Sequence, residues 1–246
     1  MQIRTWPALV CLAVFIFIFL GLGRKAQAEA TMNCPAGTYD MLDWMTLDSD
    51  LRATSHMQGT ANPLYTNMAA GKFYWTKGAG GSPWDIQLFD GKYIYLWITE
   101  EQWTNPRTYK KFAKNTNMPL VPRCAKGGYP GSTISVPDTS YQTHSDCGRS
   151  ITQNLLKGVN QVWGPYTITL GGTLPKNLPV MVASYRYNCA NGYTDCRDKE
   201  EYYLARRYGL VEWAHYSLAS GAYVLRQKTI FNQLVKGTVQ PFLPCF

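Results

Sequence analysis

The chain has 246 residues, 17 of them tyrosine and eight tryptophan, with only 16% charged. Low charge with so many rings suits a half-buried β-rich protein and argues against a mainly helical one. The formal charge of +8 favours anionic partners, but no nucleic-acid module accompanies it, so nucleic acid is not expected.

Residues 1–28 read as a secretory signal. Arg4 supplies the positive start, Val10 to Leu22 the apolar run, and Ala26-Gln27-Ala28 a small-x-small cleavage site. The apolar run is short for a bilayer span of about 20 residues, so no membrane segment is expected after cleavage. Residues 29–246 then form one domain, about 218 residues long and able to bury a sizeable core. Loss of Arg4, Arg24 and Lys25 lowers the formal charge from +8 to +5. The chain contains no Asn-x-Ser/Thr sequon, which leans towards a bacterial source.

Cys11 leaves with the signal, and Cys34, Cys124, Cys147, Cys189, Cys196 and Cys245 remain. An even number in an exported chain implies disulfides. Proximity suggests Cys189–Cys196, with Cys34–Cys245 clasping the ends and Cys124–Cys147 tying a middle loop. No Cys-x-x-Cys pair occurs and the histidines are scattered, so no metal site is expected.

Strands are expected over Tyr39–Leu47 and Leu51–Gln58, with a short helix over Asp40–Thr46 as the alternative to the first. Lys72–Lys77 is a further strand. The Gly78–Gly81 run matches no phosphate-binding spacing, and no other motif implies a cofactor. Asp90-Gly91 lies between runs rich in aromatic and β-branched residues, the mark of a hairpin. A three-residue loop with Gly91 left-handed would set Ile86 against Ile94 and Trp84 against Leu96. That register puts Trp84, Ile86, Leu88, Ile94, Leu96 and Ile98 on one face. Asp85, Gln87, Tyr93, Tyr95 and Trp97 would share the other.

Asn105-Pro106 opens an expected short helix through Lys114. Arg107, Lys110, Lys111, Lys114, Arg123 and Lys126 give this region a basic run without acids. Thr133–Val136 reads as a strand. A second helix follows Ser150, with Ile151, Leu155, Val159 and Val162 at helical spacing. Strands resume at Tyr166–Leu170, Val180–Asn188, Glu201–Arg206, Leu210–Tyr216 and Ala222–Arg226, and a terminal helix covers Lys228–Lys236. The expected architecture is an antiparallel β-sandwich or jelly-roll-like single domain, with two or three short peripheral helices and three disulfides.

No Gly-x-Ser-x-Gly elbow or His-Glu-x-x-His motif is present. A glycosidase would need paired carboxylates, one with a raised pKa, and the acids near tryptophans are Asp85, Glu100, Glu101 and Glu212. Against this, Glu100, Glu101, Glu200 and Glu201 also read as solvated strand ends, and Glu212 as a partner of Arg206 or Arg207. A polysaccharide lyase would use His215 or Tyr216 as base. Glu212, His215 and Asp85 are therefore the catalytic candidates. Binding alone needs flat rings interleaved with hydrogen-bonding groups, the composition of Asp85, Gln87, Tyr93, Tyr95 and Trp97. The leading expectation is a secreted bacterial protein that binds polysaccharide, neutral or anionic, through that face. A glycan-degrading enzyme and a protein-interacting surface protein are the alternatives.

Overall fold

The computed structural model describes residues 32–60, 62–69, 71–77, 82–102, 108–112, 118–145, 148–190 and 193–239, all within one compact unit spanning Met32–Phe246. The expected signal segment 1–28, Cys147, Cys245, Arg107 and Lys114 lie outside the described residues.

The chain is mainly β. Its first strands are β1 (Thr38–Asp40), β2 (Ser55–Gly59), β3 (Pro63–Ala69), β4 (Lys72–Lys77) and β5 (Ser82–Phe89). Then come β6 (Tyr93–Gln102), β7 (Thr108–Phe112), β8 (Met118–Pro122), β9 (Cys124–Lys126) and β10 (Gly128–Ser145). The last five, β11 (Gly148–Ile168), β12 (Leu178–Cys189), β13 (Cys196–Ala205), β14 (Gly209–Ala219) and β15 (Ala222–Lys236), form a long meander. Among the described residues the helices are two single turns, Leu42–Met45 and Ser49–Arg52. The first lies where the short-helix alternative was expected.

β1 and β9 form a separate ribbon, and the other thirteen strands form one antiparallel sheet. Besides its pairing with β4, β5 pairs with β6, so the ladder closes on itself. It does not enclose an open barrel, because opposite walls touch. Trp75 of β4 stacks on Tyr202 of β13 at 5.7 Å between ring centroids, and Trp84 of β5 meets Trp213 of β14 edge-on at 5.5 Å. The layering thus comes from a continuous sheet whose faces meet, and the division into two sheets expected of a sandwich is not seen. One large core fills the interior, including Phe73, Trp75, Leu96, Phe112, Met181, Leu204 and Phe231. A satellite of Tyr74, Ile86, Ile98 and Tyr109 lies apart from it.

The expected helices at 107–114, after Ser150 and at 228–236 are corrected where they are described: these segments belong to β7, β11 and β15. In β7, Tyr109 and Lys111 alternate with Lys110 and Phe112, and the latter two line an internal cavity. In β15, Thr229 and Phe231 are buried around a half-buried Ile230, which is period-two burial. Gly158, inside the segment expected to be helical, suits a strand. A Cβ there would lie 2.6 Å from the Arg186 carbonyl oxygen of β12.

The hairpin register also differs from expectation. Phe89 faces Ile94, Gln87 faces Leu96 and Asp85 faces Thr99. The Asp90 carboxylate accepts the backbone N–H groups of Lys92 (2.7 Å) and Tyr93 (2.9 Å), and Asp90 N–H donates to Tyr93 C=O. This places Gly91-Lys92 at the tip, and Gly91 is not left-handed. Side-chain capping by Asp90 replaces the expected G1 bulge.

Among the described residues two disulfides are seen. Cys189–Cys196 joins register partners at the end of β12 and the start of β13, as expected. Cys34 bonds to Cys124, which corrects both the Cys34–Cys245 and the Cys124–Cys147 expectations. Beside it, Asp40 and Arg123 form a buried ion pair, in which Nε donates to Oδ1 and Nη2 to Oδ2, the latter at 2.8 Å. Arg123 also lies over the Phe89 ring, joining the β1–β9 ribbon to the main hairpin.

Candidate functional site: an acidic, tyrosine-lined cavity

The strand registers bring two polar rows face to face inside the circuit. On one wall, Trp75, Asp85, Thr99 and Lys110 are successive cross-strand partners on β4, β5, β6 and β7. On the other, Tyr185, Glu200 and His215 are partners on β12, β13 and β14. Between them is a cavity of about 190 Å³, lined by Leu96, Thr99, Glu100, Lys110 and Phe112 from the first wall and by Tyr185, Tyr187, Glu200 and Tyr202 from the second.

Glu200 is the most heavily coordinated group in this cavity. One carboxylate oxygen accepts the Tyr187 hydroxyl (3.2 Å). The other accepts the Tyr202 hydroxyl (2.5 Å) and the Trp213 indole N–H (2.9 Å). A carboxylate has about four acceptor positions, so these donors fix its orientation and leave room for one more. It is not the solvated strand end that its sequence position suggested. Burial, with Glu200 close by, pushes the hydroxyl pKa values of Tyr187 and Tyr202 well up, so both rings stay neutral donors.

Asp85 is 2% exposed. Burial raises its carboxyl to about 7, against the opposing hydrogen bond from Thr99, and the negative charges of Glu200 and Glu100 raise it further. Lys77 balances part of this charge. Its ammonium sits 3.8 Å above the Trp84 ring and 5.6 Å from that of Trp213. Burial lowers its pKa, and Asp85, Glu100 and Glu200 counter that effect. Gln87, fully buried opposite Leu96, has no hydrogen-bond partner for either amide atom among the described residues, and neither has Asp85 Oδ1.

The expected sites are divided. Asp85 and Gln87 face inward, whereas Tyr93, Tyr95 and Trp97 are half-buried on the other face of the sheet. There Trp97 packs on the Tyr74–Ile86–Ile98 satellite, and Tyr95 donates its hydroxyl to Asp90 at 2.9 Å. The five residues do not form one face, because the register is shifted from the expected one. Glu212 faces Tyr203 and Ile230 and binds Lys228 Nζ at 2.7 Å. Arg206 and Arg207, its expected partners, reach Asp43, Asp48 and Asp50 instead. His215 lies 3.5 Å from Asp198 and stacks on Trp213, one strand from Glu200. His56 bonds the Gly237 carbonyl, and the side chain of His144 lies outside the described residues, as does that of Glu101. The expected basic run is dispersed: Lys110 lines the cavity, Arg123 is buried with Asp40, and Lys126 is exposed.

Sequence reasoning missed Glu200, Tyr185, Tyr187, Tyr202 and Lys77. Their signal is the period-two set Asp198, Glu200, Tyr202, but the alternate set Lys199, Glu201, Tyr203 is equally polar and aromatic. No hydrophobic contrast marks the inward face. Among the described residues, no group of three or more His, Cys, Asp or Glu side chains is arranged to hold a metal ion.

Fold and site together define a disulfide-stapled antiparallel β protein with an internal carboxylate and tyrosine cavity. Comparison with protein-family models, curated proteins and solved structures finds no match.

Proposed function

We propose that this is an exported saccharide-binding protein that seats one sugar unit of a glycan in the cavity between β6–β7 and β12–β13. The carrying observation is the make-up of that cavity: tyrosine rings alternate with carboxylates, and Glu200 is pre-oriented by three donors with one acceptor position left. Rings cover the apolar face of a sugar, and carboxylates accept its hydroxyls at fixed angles. A volume of about 190 Å³ is below the roughly 300–1,000 Å³ of larger ligand sites, which fits one ring rather than an oligomer. Export is supported by the two disulfides, since these bonds persist in oxidising compartments. No helix among the described residues is long and apolar enough to cross a membrane.

A second reading, hydrolysis of the same glycan, is favoured by one observation. Burial raises the Asp85 carboxyl to about 7, with Glu200 and Glu100 adding to the rise, and a carboxylic acid of raised pKa near a second carboxyl group is what glycoside cleavage requires. A glycan array followed by product analysis separates the two. A retained glycan of unchanged length supports binding. Shortened chains would make the protein a hydrolase and unsaturated ends a lyase, while silence on neutral and acidic glycans alike removes the saccharide reading. Glu200→Gln should weaken binding about tenfold or more, the scale of one hydrogen bond to a charged group.

A further inference from the structure

The outer face of the same meander carries a separate pattern. Where Asp198 and Glu200 of β13 point into the circuit, Arg197 and Lys199 point outward. Lys199 stands directly opposite Arg186 of β12, and Arg186 opposite Val159 of β11. Lys157, two residues before Val159, shares that face. Neighbouring strands are about 4.8 Å apart and alternate residues about 6.8 Å, so these four cations occupy a patch roughly 10 Å wide across three strands.

Among the described residues an ion pair offsets one of the four, Lys199. Glu201, the acid next in line on β13, is held by Lys199 at 2.9 Å and by the hydroxyls of Tyr203 and Tyr216. Lys157, Arg186 and Arg197 have no ion pair among the described residues. Like charges directly opposite on neighbouring strands repel, and Glu201 offsets that repulsion at Lys199, leaving Lys157, Arg186 and Arg197 as the cations open to a bound anion. Tyr216 and Tyr223 border the patch, with the Lys199 ammonium 4.0 Å and 5.1 Å from their ring centroids.

We propose that this outer face binds an anionic polysaccharide, a chain of carboxylated sugars, at a site separate from the cavity. Cations at regular strand spacing match a polymer that repeats its charge from unit to unit. The flat tyrosine rings beside them offer a surface to sugar rings, and the positive net charge steers such a chain towards the protein. The proposal does not depend on the cavity reading, since no residue is shared.

The test uses the exported full-length chain and immobilised polygalacturonate, with neutral dextran and phosphatidylglycerol vesicles as comparisons. Binding to polygalacturonate but not dextran is expected, weakening as salt rises because counterions are released on contact. Arg186→Gln combined with Arg197→Gln should raise the Kd about tenfold, and Lys157→Gln should weaken binding independently. Lys126→Gln, at an exposed lysine of β9, should leave it unchanged. Equal binding by the double variant, equal binding to dextran, or binding to vesicles alone would overturn the proposal.

Discussion

Asp85 has its carboxyl in the interior, with one oxygen lacking a partner among the described residues. Its folded pKa, about 7, lies above the ordinary 3.8, so the folded state binds the proton more tightly than the unfolded chain. The stability associated with that proton is complete below pH of about 4 and is lost as pH rises through about 7. Lys77, shifted downward by burial, carries the opposite sign, its contribution growing as pH rises. Urea unfolding between pH 4 and 8 should therefore show stability falling with pH, and Asp85→Asn should flatten that slope. An unchanged slope in the variant would remove Asp85 as its source. Asp85 was legible in the sequence as a carboxylate near tryptophans, but its partners were not. Glu200 lies 115 positions further along the chain, and only the pairing of β5 with β6 and β12 with β13 brings the two walls together.

Single elements differ in how clearly the sequence marks them. β12 and β14 were legible because β-branched and aromatic residues crowd them and turns bound both ends. At the Ser220-Gly221 turn between β14 and β15 both residues have positive φ, as a two-residue hairpin loop demands. Gly221→Val should cost about 1–2 kcal/mol, measured as a lower urea midpoint. β11 was misread because Ile151, Leu155, Val159 and Val162 mimic a helical stripe. In the strand, Asn160 and Val162 share the inward face, and the Asn160 amide donates to the Pro119 carbonyl at 2.7 Å, a contact no local pattern announces. Arg123 was read as part of a basic surface, yet its guanidinium is buried against Asp40. Arg123→Ala strands that carboxylate and should cost about 3–5 kcal/mol of unfolding free energy. A loss below about 1 kcal/mol would mean that the pair is solvated.

For the whole molecule, the β class was written in composition and alternation, whereas closure of the ladder was not. Closure depends on β5 pairing with both β4 and β6, and the hairpin register that permits it comes from Asp90 capping its own turn. The Cys34–Cys124 bridge spans 90 positions and fixes the start of the compact unit to β9. Replacing both cysteines with serine should lower stability by about 4.6 kcal/mol on loop-closure grounds, with little change in strand content by circular dichroism. Inside the closed ladder, the facing of β6–β7 and β12–β13 makes a cavity that neither wall could form alone. The most direct test of that cavity's role is a crystal structure with the tightest-binding oligosaccharide from the array. One sugar ring is expected between Glu200 and Lys110, with a hydroxyl donating to the free acceptor position of Glu200. A saccharide ordered elsewhere, with only water in the cavity, would contradict it.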